Sequence, residues 1–261
     1  VDAGISRVVV DSYNFDQPRL TAWEASFERT MVMIDGPAQK LRGQIAVCPV
    51  VDESAFWLEK KRSDFDSFYF GPSYSFIRKD IRNLKHRRSV PRPPSCDILI
   101  SLGGADGGEF TSRVLEALGK RLSGQRIVVM GPGSADYESQ RSHGTNLIVA
   151  KPLGSELLNQ IEDTRVVISA LGTMALEMIY LEIPTVFVPV AENQRENAVA
   201  IERLGLGPVA DPSDAHFEDL LCQAVLEVLK VQASRDFQNS GKVPIDGLGV
   251  KRVADLLIAD L

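Results

Sequence analysis

The stretch that decides the fold is VVISALGTMALEMIYLEIPTVFVPVAENQREN, residues 166–197. An apolar run ends at Ser169, a pattern with helical spacing of apolar residues covers 173–181, and a second apolar run covers 185–189. Short apolar runs on either side of a helix are typical of a βαβ unit, in which the two strands are parallel. The stretch therefore predicts part of a doubly wound α/β fold.

The same alternation extends to both sides of this stretch. We predict two groups of parallel strands, separated by the basic, proline-rich segment KHRRSVPRPP at residues 85–94, because proline interrupts helices and strands. The predicted strands cover residues 7–10, 30–34, 44–51, 67–70, 97–101, 126–130, 147–150, 165–169 and 185–189. The predicted helices cover residues 19–29, 74–84, 111–122, 154–162, 173–181, 196–204, 215–230 and 249–261.

The composition excludes several classes of protein. The 261 residues carry a net charge of -6, so the chain lacks the excess of basic residues with which nucleic-acid binders contact phosphates. No run reaches the roughly 18 apolar residues of a membrane span. Cys48, Cys96 and Cys222 lie far apart without a CxxC pair, which argues against a zinc site or a disulfide framework. No signal-peptide pattern is present, so we expect a cytoplasmic protein. We also expect no metal or other cofactor, because no cluster of His, Cys and Asp has metal-ligand spacing.

The loop before the helix at 173–181 has the composition of an anion site. A strand, a loop of small residues and a helix start point backbone N–H groups outward, and the helix dipole adds about half a positive charge. Gly172 allows a phosphate to approach closely, and Thr173 can bond a phosphate oxygen or cap the helix. An ordinary turn with a threonine cap has the same sequence, so both interpretations stay open. The candidate residues are Ser169, Ala170, Leu171, Gly172 and Thr173.

Glu177 and the loop after the strand at 185–189 carry further candidates. Glu177 can accept hydrogen bonds from both hydroxyls of a ribose, although a glutamate early in a helix is also favourable on electrostatic grounds alone. Asn193 can contact sugar hydroxyls or N-acetyl groups, and Gln194 is a candidate nucleotide-binding residue. A polar loop that caps the next helix has the same sequence, so that interpretation stays open.

The turn after the strand at 97–101 adds Gly103, Gly104 and Asp106, of which the glycines allow a tight turn beside a ligand and the aspartate can accept hydrogen bonds. Ligands of open α/β sheets bind at the carboxyl ends of the strands, so we expect these segments to line one cleft.

Several motifs together resemble a known family. They are ILISLGGAD at 98–106, IVVMG at 127–131 and the stretch from residue 166, with VVVDSY at 8–13 and GPSYSFIR at 71–78 upstream. The last two match an Asp-x-Tyr strand end and a Gly-x-x-Tyr-x-x-x-Arg element. The chain resembles the UDP-sugar hydrolases of pseudaminic acid biosynthesis, which are related in fold to the lipid II-forming N-acetylglucosaminyltransferase.

This resemblance implies a GT-B fold of two Rossmann-like lobes and a hydrolase that releases UDP from a UDP-linked amino or deoxy sugar in surface-glycan biosynthesis. It implies that residues 169–173 hold the diphosphate and that Glu177 contacts the ribose. It also implies that Gly103 and Gly104 border the nucleotide, while Tyr13 and Asn193 face the sugar as catalytic residues.

The family begins with a Gly-x-Gly-His-x-x-Arg loop, whose histidine is taken to assist the attacking water. No Gly-x-Gly-His occurs in this sequence, so we expect an incomplete N-terminal lobe at 1–90, a nucleotide-binding lobe at 95–245 and a C-terminal helix at 246–261. Two alternatives stay open: a glycosyltransferase of the same fold that uses a UDP-sugar donor, and a non-catalytic subunit that binds a nucleotide sugar.

Overall fold

The computed structural model describes residues 4–88, 96–104, 106, 108–131, 146–151, 156–233 and 245–259. Its strands are β1 (Arg7–Val10), β2 (Arg29–Met33), β3 (Gly43–Cys48), β4 (Phe65–Phe70), β5 (Cys96–Ser101), β6 (Arg126–Met130), β7 (Leu147–Lys151), β8 (Thr164–Ala170) and β9 (Thr185–Val188). Its α-helices are α1 (Gln17–Glu24), α2 (Phe56–Arg62), α3 (Lys79–Arg88), α4 (Glu109–Arg121), α5 (Glu156–Glu162), α6 (Thr173–Leu181), α7 (Arg195–Leu204), α8 (Phe217–Ala233) and α9 (Gly249–Ile258).

The described residues of 1–77 and 243–261 form one compact unit, and those of 78–242 form a second. The first unit contains a parallel sheet in the order β1-β2-β3-β4. Alternate residues of β2 face opposite sides of this sheet, as the pleat requires. Met31 and Met33 pack with Val253 of α9, whereas Val32 packs with Leu20 of α1 and Leu58 of α2. Both faces of the sheet are therefore covered within this unit.

The second unit contains a parallel sheet in the order β7-β6-β5-β8-β9. The runs of β5, β8 and β9 are almost continuously apolar, which is typical of parallel strands buried on both faces. Ile98, Ile100 and Ile168 point to the same side and pack with residues of α4 and α8, including Leu118 and Phe217. The predicted α/β class with parallel strands is confirmed, and β5, β8 and β9 lie side by side.

We predict no regular structure at 85–94. This prediction is wrong for the first four residues, which belong to α3. The helix continues because the first proline comes only at residue 91 and because α3 packs on α6. The Lys85 ammonium donates to the carbonyl oxygen of Tyr180 at 2.7 Å and lies 4.5 Å from the centre of that ring. Residues 89–94 lie outside the described residues.

Other element boundaries differ by a few residues. The predicted helix at 74–84 is instead a 3-10 turn at Pro72–Tyr74 followed by α3, and the helix α2 has no counterpart among the predicted elements. The helix expected at 19–29 begins at Gln17, because the Asp16 carboxylate accepts a hydrogen bond from the backbone N–H of Arg19 and caps it.

Gly249 gives a test of how closely α9 approaches the rest of its unit. A Cβ atom at this position would meet the backbone carbonyl of Ser75 well inside van der Waals contact, whereas a Cβ at Gly36 would meet nothing within 4 Å. We expect Gly249→Ala to lower the free energy of unfolding by about 1–3 kcal/mol, because overpacking exceeds the helix preference of alanine. Urea unfolding with Gly36→Ala as the control measures this, and equal stability of the two variants would contradict it.

Asp246 gives a test of acid stability. Its carboxylate accepts hydrogen bonds from both terminal nitrogens of Arg252, at 2.8 and 2.5 Å. Chiefly because of these bonds, the pKa of Asp246 lies below its ordinary value. A carboxyl whose folded pKa is depressed contributes stability above its unfolded pKa, and this contribution disappears as the pH falls.

We therefore expect Asp246→Asn to lower the urea midpoint at neutral pH and to approach the wild-type midpoint as the pH falls below about 4. Asp255→Asn removes an exposed pair with Lys251 on one helix and serves as the charge-matched control. A difference for Asp246→Asn that is independent of pH would show that the ion pair does not carry this stability.

Candidate functional site

Gln194 joins the loops that follow β8 and β9. Its side chain is 8% exposed, and its Oε1 atom accepts hydrogen bonds from the backbone N–H groups of Leu171 at 3.2 Å and Val190 at 2.9 Å. The Nδ2 atom of Asn197 donates to the carbonyl oxygen of Leu171 at 3.2 Å. The two loops are thus held as one platform at the carboxyl edge of the sheet.

The first turn of α6 opens onto this edge. Gly172 is the N-cap residue, has extended backbone angles and makes no side-chain cap. Gly172 and Thr173 are exposed, and a Cβ atom on Gly172 would meet nothing within 4 Å. The first N–H groups of a helix have no partner within the helix. This turn therefore presents backbone donors and the positive end of the helix dipole to solvent.

The other three predicted loop residues are buried. Ser169 is fully buried and its hydroxyl donates to the carbonyl oxygen of Ala170 at 2.9 Å. Ala170 and Leu171 pack in the interior. Of the five residues from 169 to 173, only Gly172 and Thr173 reach the surface.

The turn after β5 has an open part at its two glycines and a buried part at Asp106. Gly103, with a φ of +74°, and Gly104 have open space around the position of a Cβ atom. Asp106 is buried, and its carboxylate accepts from the backbone N–H groups of Phe110 at 2.7 Å and Thr111 at 3.1 Å and from the Thr111 hydroxyl. Asp106 therefore stabilises the start of α4, and its carboxylate is already engaged there. The predicted contact of Asp106 with a nucleotide stays a prediction.

Glu177 is paired with Arg78, which lies just before α3. The Nε and Nη2 atoms of Arg78 donate to the two carboxylate oxygens, each at 2.7 Å. The glutamate side chain is 1% exposed, whereas that of the arginine is 54% exposed. The hydrogen bonds to Glu177 are the largest cause of a raised pKa of Arg78, so the guanidinium is charged throughout the folded range. The predicted ribose contact of Glu177 stays a prediction.

Tyr13 and Asn193 lie in different units. Tyr13, in the first unit, is 63% exposed and donates its phenolic proton to Oδ2 of Asp35 at 2.5 Å. Burial, and then repulsion by Asp35, raise the pKa of the neighbouring Asp11 above its ordinary value. Asn193 belongs to the second unit, where it is exposed in the 3-10 turn Glu192–Gln194. Their predicted catalytic roles stay predictions.

A cleft of about 290 Å³ borders the loop after β9. On its rim, Arg195 pairs with Glu192 at 2.7 Å and with Asp211 at 3.1 Å. The cleft is lined by Phe110, Pro189, Val190, Ala191, Glu192, Arg195, Asp211, Pro212 and Ser213.

Within the described ranges, no group of three His, Cys, Asp or Glu side chains is placed to hold a metal ion. None of the described helices has the length and apolarity needed to cross a membrane.

The Gln194 platform gives a test of how the site is held. We expect Gln194→Leu to lower the free energy of unfolding by about 2 kcal/mol, because the buried N–H group of Leu171 and the half-buried one of Val190 lose their acceptor. Gln223→Leu is the matched control, since Gln223 is exposed on α8 and bonds Glu227 on the same helix. Chemical denaturation of the two variants compares them, and a Gln194→Leu variant as stable as Gln223→Leu would contradict the clamp.

Comparison with known proteins agrees with this arrangement of strands and loops. Among solved structures, MurG of Acinetobacter baumannii is similar with a TM-score of 0.61 and 14% identity, over 91% of this chain and 75% of that one. The spinosyn rhamnosyltransferase SpnG, in complex with thymidine diphosphate, is similar with a TM-score of 0.55 and 14% identity, over 91% and 76%. These similarities show a fold of the GT-B type.

One curated relative and one family model match the sequence itself. The uncharacterized protein MJ1062 of Methanocaldococcus jannaschii is 28% identical over an alignment of 153 positions, which covers 52% of this chain. The matched part spans 31% of that relative, about a third of its length. Residues 98–256 match the model of the glycosyltransferase family 28 C-terminal domain, which covers more than half of the chain. The chain therefore belongs to the glycosyltransferase family 28 C-terminal domain family.

Proposed function

We propose that the second unit binds the nucleoside diphosphate of an activated sugar and that the chain is the donor-binding part of a glycosyltransferase. The observation that carries this proposal is the exposed start of α6 at Gly172 and Thr173. It lies where β8 ends in a parallel sheet, the edge at which ligands of open α/β sheets bind. A diphosphate matches this edge because it is anionic and can accept several backbone hydrogen bonds.

The surroundings of this turn favour a phosphate over a bulky apolar ligand. Gly103 and Gly104 lie in the turn after the adjacent strand β5 and leave space for the ligand next to the backbone. Gln194 accepts hydrogen bonds from the backbone of the loops after β8 and β9 and so fixes the loop that leads into α6. The backbone donors of that loop are therefore already oriented when a ligand arrives. Pre-oriented donors need little reorganisation as charge develops on a leaving group.

The membership in family 28 and the printed ligand of one neighbour also support this proposal. SpnG was solved with thymidine diphosphate. For this chain we propose UDP as the nucleotide, on the basis of the motif resemblance at residues 98–106 and 166–197. In the reaction, an acceptor hydroxyl attacks the anomeric carbon and loses its proton to a base. The bond from that carbon to the diphosphate oxygen breaks with its electron pair, and UDP leaves with its negative charge next to the α6 dipole.

A second candidate is hydrolysis of the same donor, with water in place of the acceptor. The observation in its favour is the VVVDSY motif at 8–13, which matches the Asp-x-Tyr strand end of the UDP-sugar hydrolases that the chain resembles. In the structure, Tyr13 and Asp35 share a hydrogen bond of 2.5 Å at the carboxyl end of this motif's sheet. Tyr13 is then the candidate contact to the sugar.

Gly172 provides the test of the binding proposal. Gly172→Ala fits the unliganded fold, because its Cβ atom meets nothing within 4 Å, yet it occupies the space that a phosphate needs. We expect at least an about tenfold weaker affinity for UDP, since a charge-assisted hydrogen bond is lost. Calorimetric titration measures this affinity, with Gly36→Ala as the control because Gly36 lies in the first unit and also has free space around the position of a Cβ atom. Binding of UDP with equal affinity by both variants would refute the site.

The two reactions are separated by the dependence of UDP release on an acceptor. We expect the chain, incubated with UDP-sugars, to release UDP faster when a saccharide acceptor is added, and chromatography of the nucleotides follows this. Release at one rate with and without acceptors would favour the hydrolase. UDP binding without release from any donor would contradict both reactions.

A further inference from the structure

We infer that the chain forms a homodimer in which strand β1 pairs antiparallel with β1 of a second copy. The sheets of the two first units then join into one continuous sheet across a two-fold axis. The surface involved is the outer side of residues 7–11 (the β1 edge), together with an exposed apolar stripe on α9. All of it belongs to the first unit, so the inference does not depend on the proposed nucleotide site.

Strand β1 is the outer strand of its sheet, and among the described residues it pairs with β2 alone. The carbonyl oxygen of Ser6 accepts a hydrogen bond from the N–H group of Arg29 in β2 at 3.2 Å. Backbone groups alternate in direction along a strand, so those of Val8 also address β2, whereas those of Val9 point away from it. An outward row of backbone groups on an edge strand is a template for a further strand.

The composition of β1 is that of an inner strand. Residues 8–10 are three consecutive valines, and such a continuous β-branched run is typical of parallel strands that are covered on both faces. Edge strands of native proteins often carry charges that discourage pairing, as β4 at the other edge of this sheet does with Asp66. The Val9 side chain is 41% exposed. A second strand at the β1 edge would cover it.

The charges at the two ends of β1 select a second copy as the partner. Arg7 begins the strand and Asp11 follows it, so the segment RVVVD is complementary to itself when it is reversed. In an antiparallel pair centred on Val9, Arg7 of each copy lies opposite Asp11 of the other. Opposite charges directly across an antiparallel pair are stabilising, whereas like charges are destabilising. In a parallel pair in register, like charges would face each other.

A two-fold axis through Val9 is compatible with these contacts. Both copies use the same surface, and each contact occurs twice, as in other isologous dimers. The outward N–H and C=O groups of Val9 exchange hydrogen bonds with those of the second Val9. The environment of Asp11 also favours a cation, because burial, and then repulsion by Asp35, raise its pKa above the ordinary value. A guanidinium opposite Asp11 counteracts both effects.

Helix α9 adds apolar surface beside the β1 edge. It packs on β1 and β2, and Val253 faces the sheet. Arg252 and Ala254, one residue to each side of Val253, point to opposite flanks of the helix. Arg252 donates to the carbonyl oxygen of Ser73 in the turn after β4, so Ala254 lies on the flank toward β1. The exposed residues of this flank form the α9 stripe, which consists of Val250, Ala254 and Ile258.

The α9 stripe matters for the size of the interface. A specific dimer buries about 800 Å² of each partner, which a short strand alone does not supply. The stripe enlarges the apolar surface next to the strand, so that pairing of the β1 edges also brings the two α9 helices toward the interface.

The test reverses the two charges one at a time. Arg7→Asp brings like negative charges opposite each other, and Asp11→Arg brings like positive charges opposite each other. We expect each variant to self-associate at least about tenfold more weakly than the wild type, because both ion pairs become repulsive. An equimolar mixture of the two variants has opposite charges at both pairs, so we expect it to form a heterodimer with wild-type affinity. Lys60→Asp, a reversal of an exposed charge on α2, is the matched control, since α2 packs on β4 at the far edge.

Sedimentation equilibrium of the full chain over a range of protein concentrations gives the association constants, and circular dichroism verifies the fold of each variant. A wild-type chain that stays monomeric at every concentration would overturn the inference and leave the β1 edge to a strand of a different polypeptide. A wild-type dimer that both charge reversals leave intact would place the interface elsewhere and also overturn it. The same holds if both folded variants are monomeric and their mixture remains monomeric.

Discussion

The candidate site depends on the parallel register of β5, β8 and β9. Ser101 pairs with Ser169, and Ala170 pairs with Val188, so the three strands end at nearly the same level. Each parallel strand must be followed by a crossover before the chain can enter the next strand in the same direction. The helices α4, α6 and α7 therefore all begin near one edge of the sheet. No recognition between side chains is needed to bring these loops together, since strand direction alone does so.

Within this edge, side chains and backbone have different tasks. The buried polar side chain of Asp106 accepts hydrogen bonds from backbone N–H groups at the start of α4, and that of Gln194 accepts them from the loops after β8 and β9. An unpaired polar group in these positions would cost about 1–3 kcal/mol, so the loops are stable only in the conformation that pairs them. Gly172 and Gly104 have no side chain and present backbone to solvent. The polar side chains thus shape the loops, and the exposed glycine backbone forms part of their surface.

The sequence predicts the features that local interactions determine and misses those that depend on contacts between residues far apart in the chain. Apolar runs and glycine positions predicted β5, β8 and β9 and the start of α6 to within a residue or two, because these signals are local. The helix α3 was predicted to stop too early, because its last turns are held by α6, nearly a hundred residues away. The engagement of Asp106 by α4 and of Glu177 by Arg78 followed from no motif. An aspartate or glutamate looks the same in a sequence whether its carboxylate binds a ligand or a neighbouring segment of the chain.

The proposed anion site lies in a chain with a net charge of -6, so the pairing of Glu177 with Arg78 matters for the local charge. Long-range attraction from an acidic protein is unfavourable, and it is screened beyond about 8–10 Å at physiological salt. The local field must therefore come from groups within a few ångströms of the ligand. The α6 dipole supplies such a field at the proposed site, whereas the charge of Arg195 is balanced by Glu192 and Asp211. Because Arg78 engages both carboxylate oxygens of the buried Glu177, this glutamate adds no unbalanced negative charge to α6.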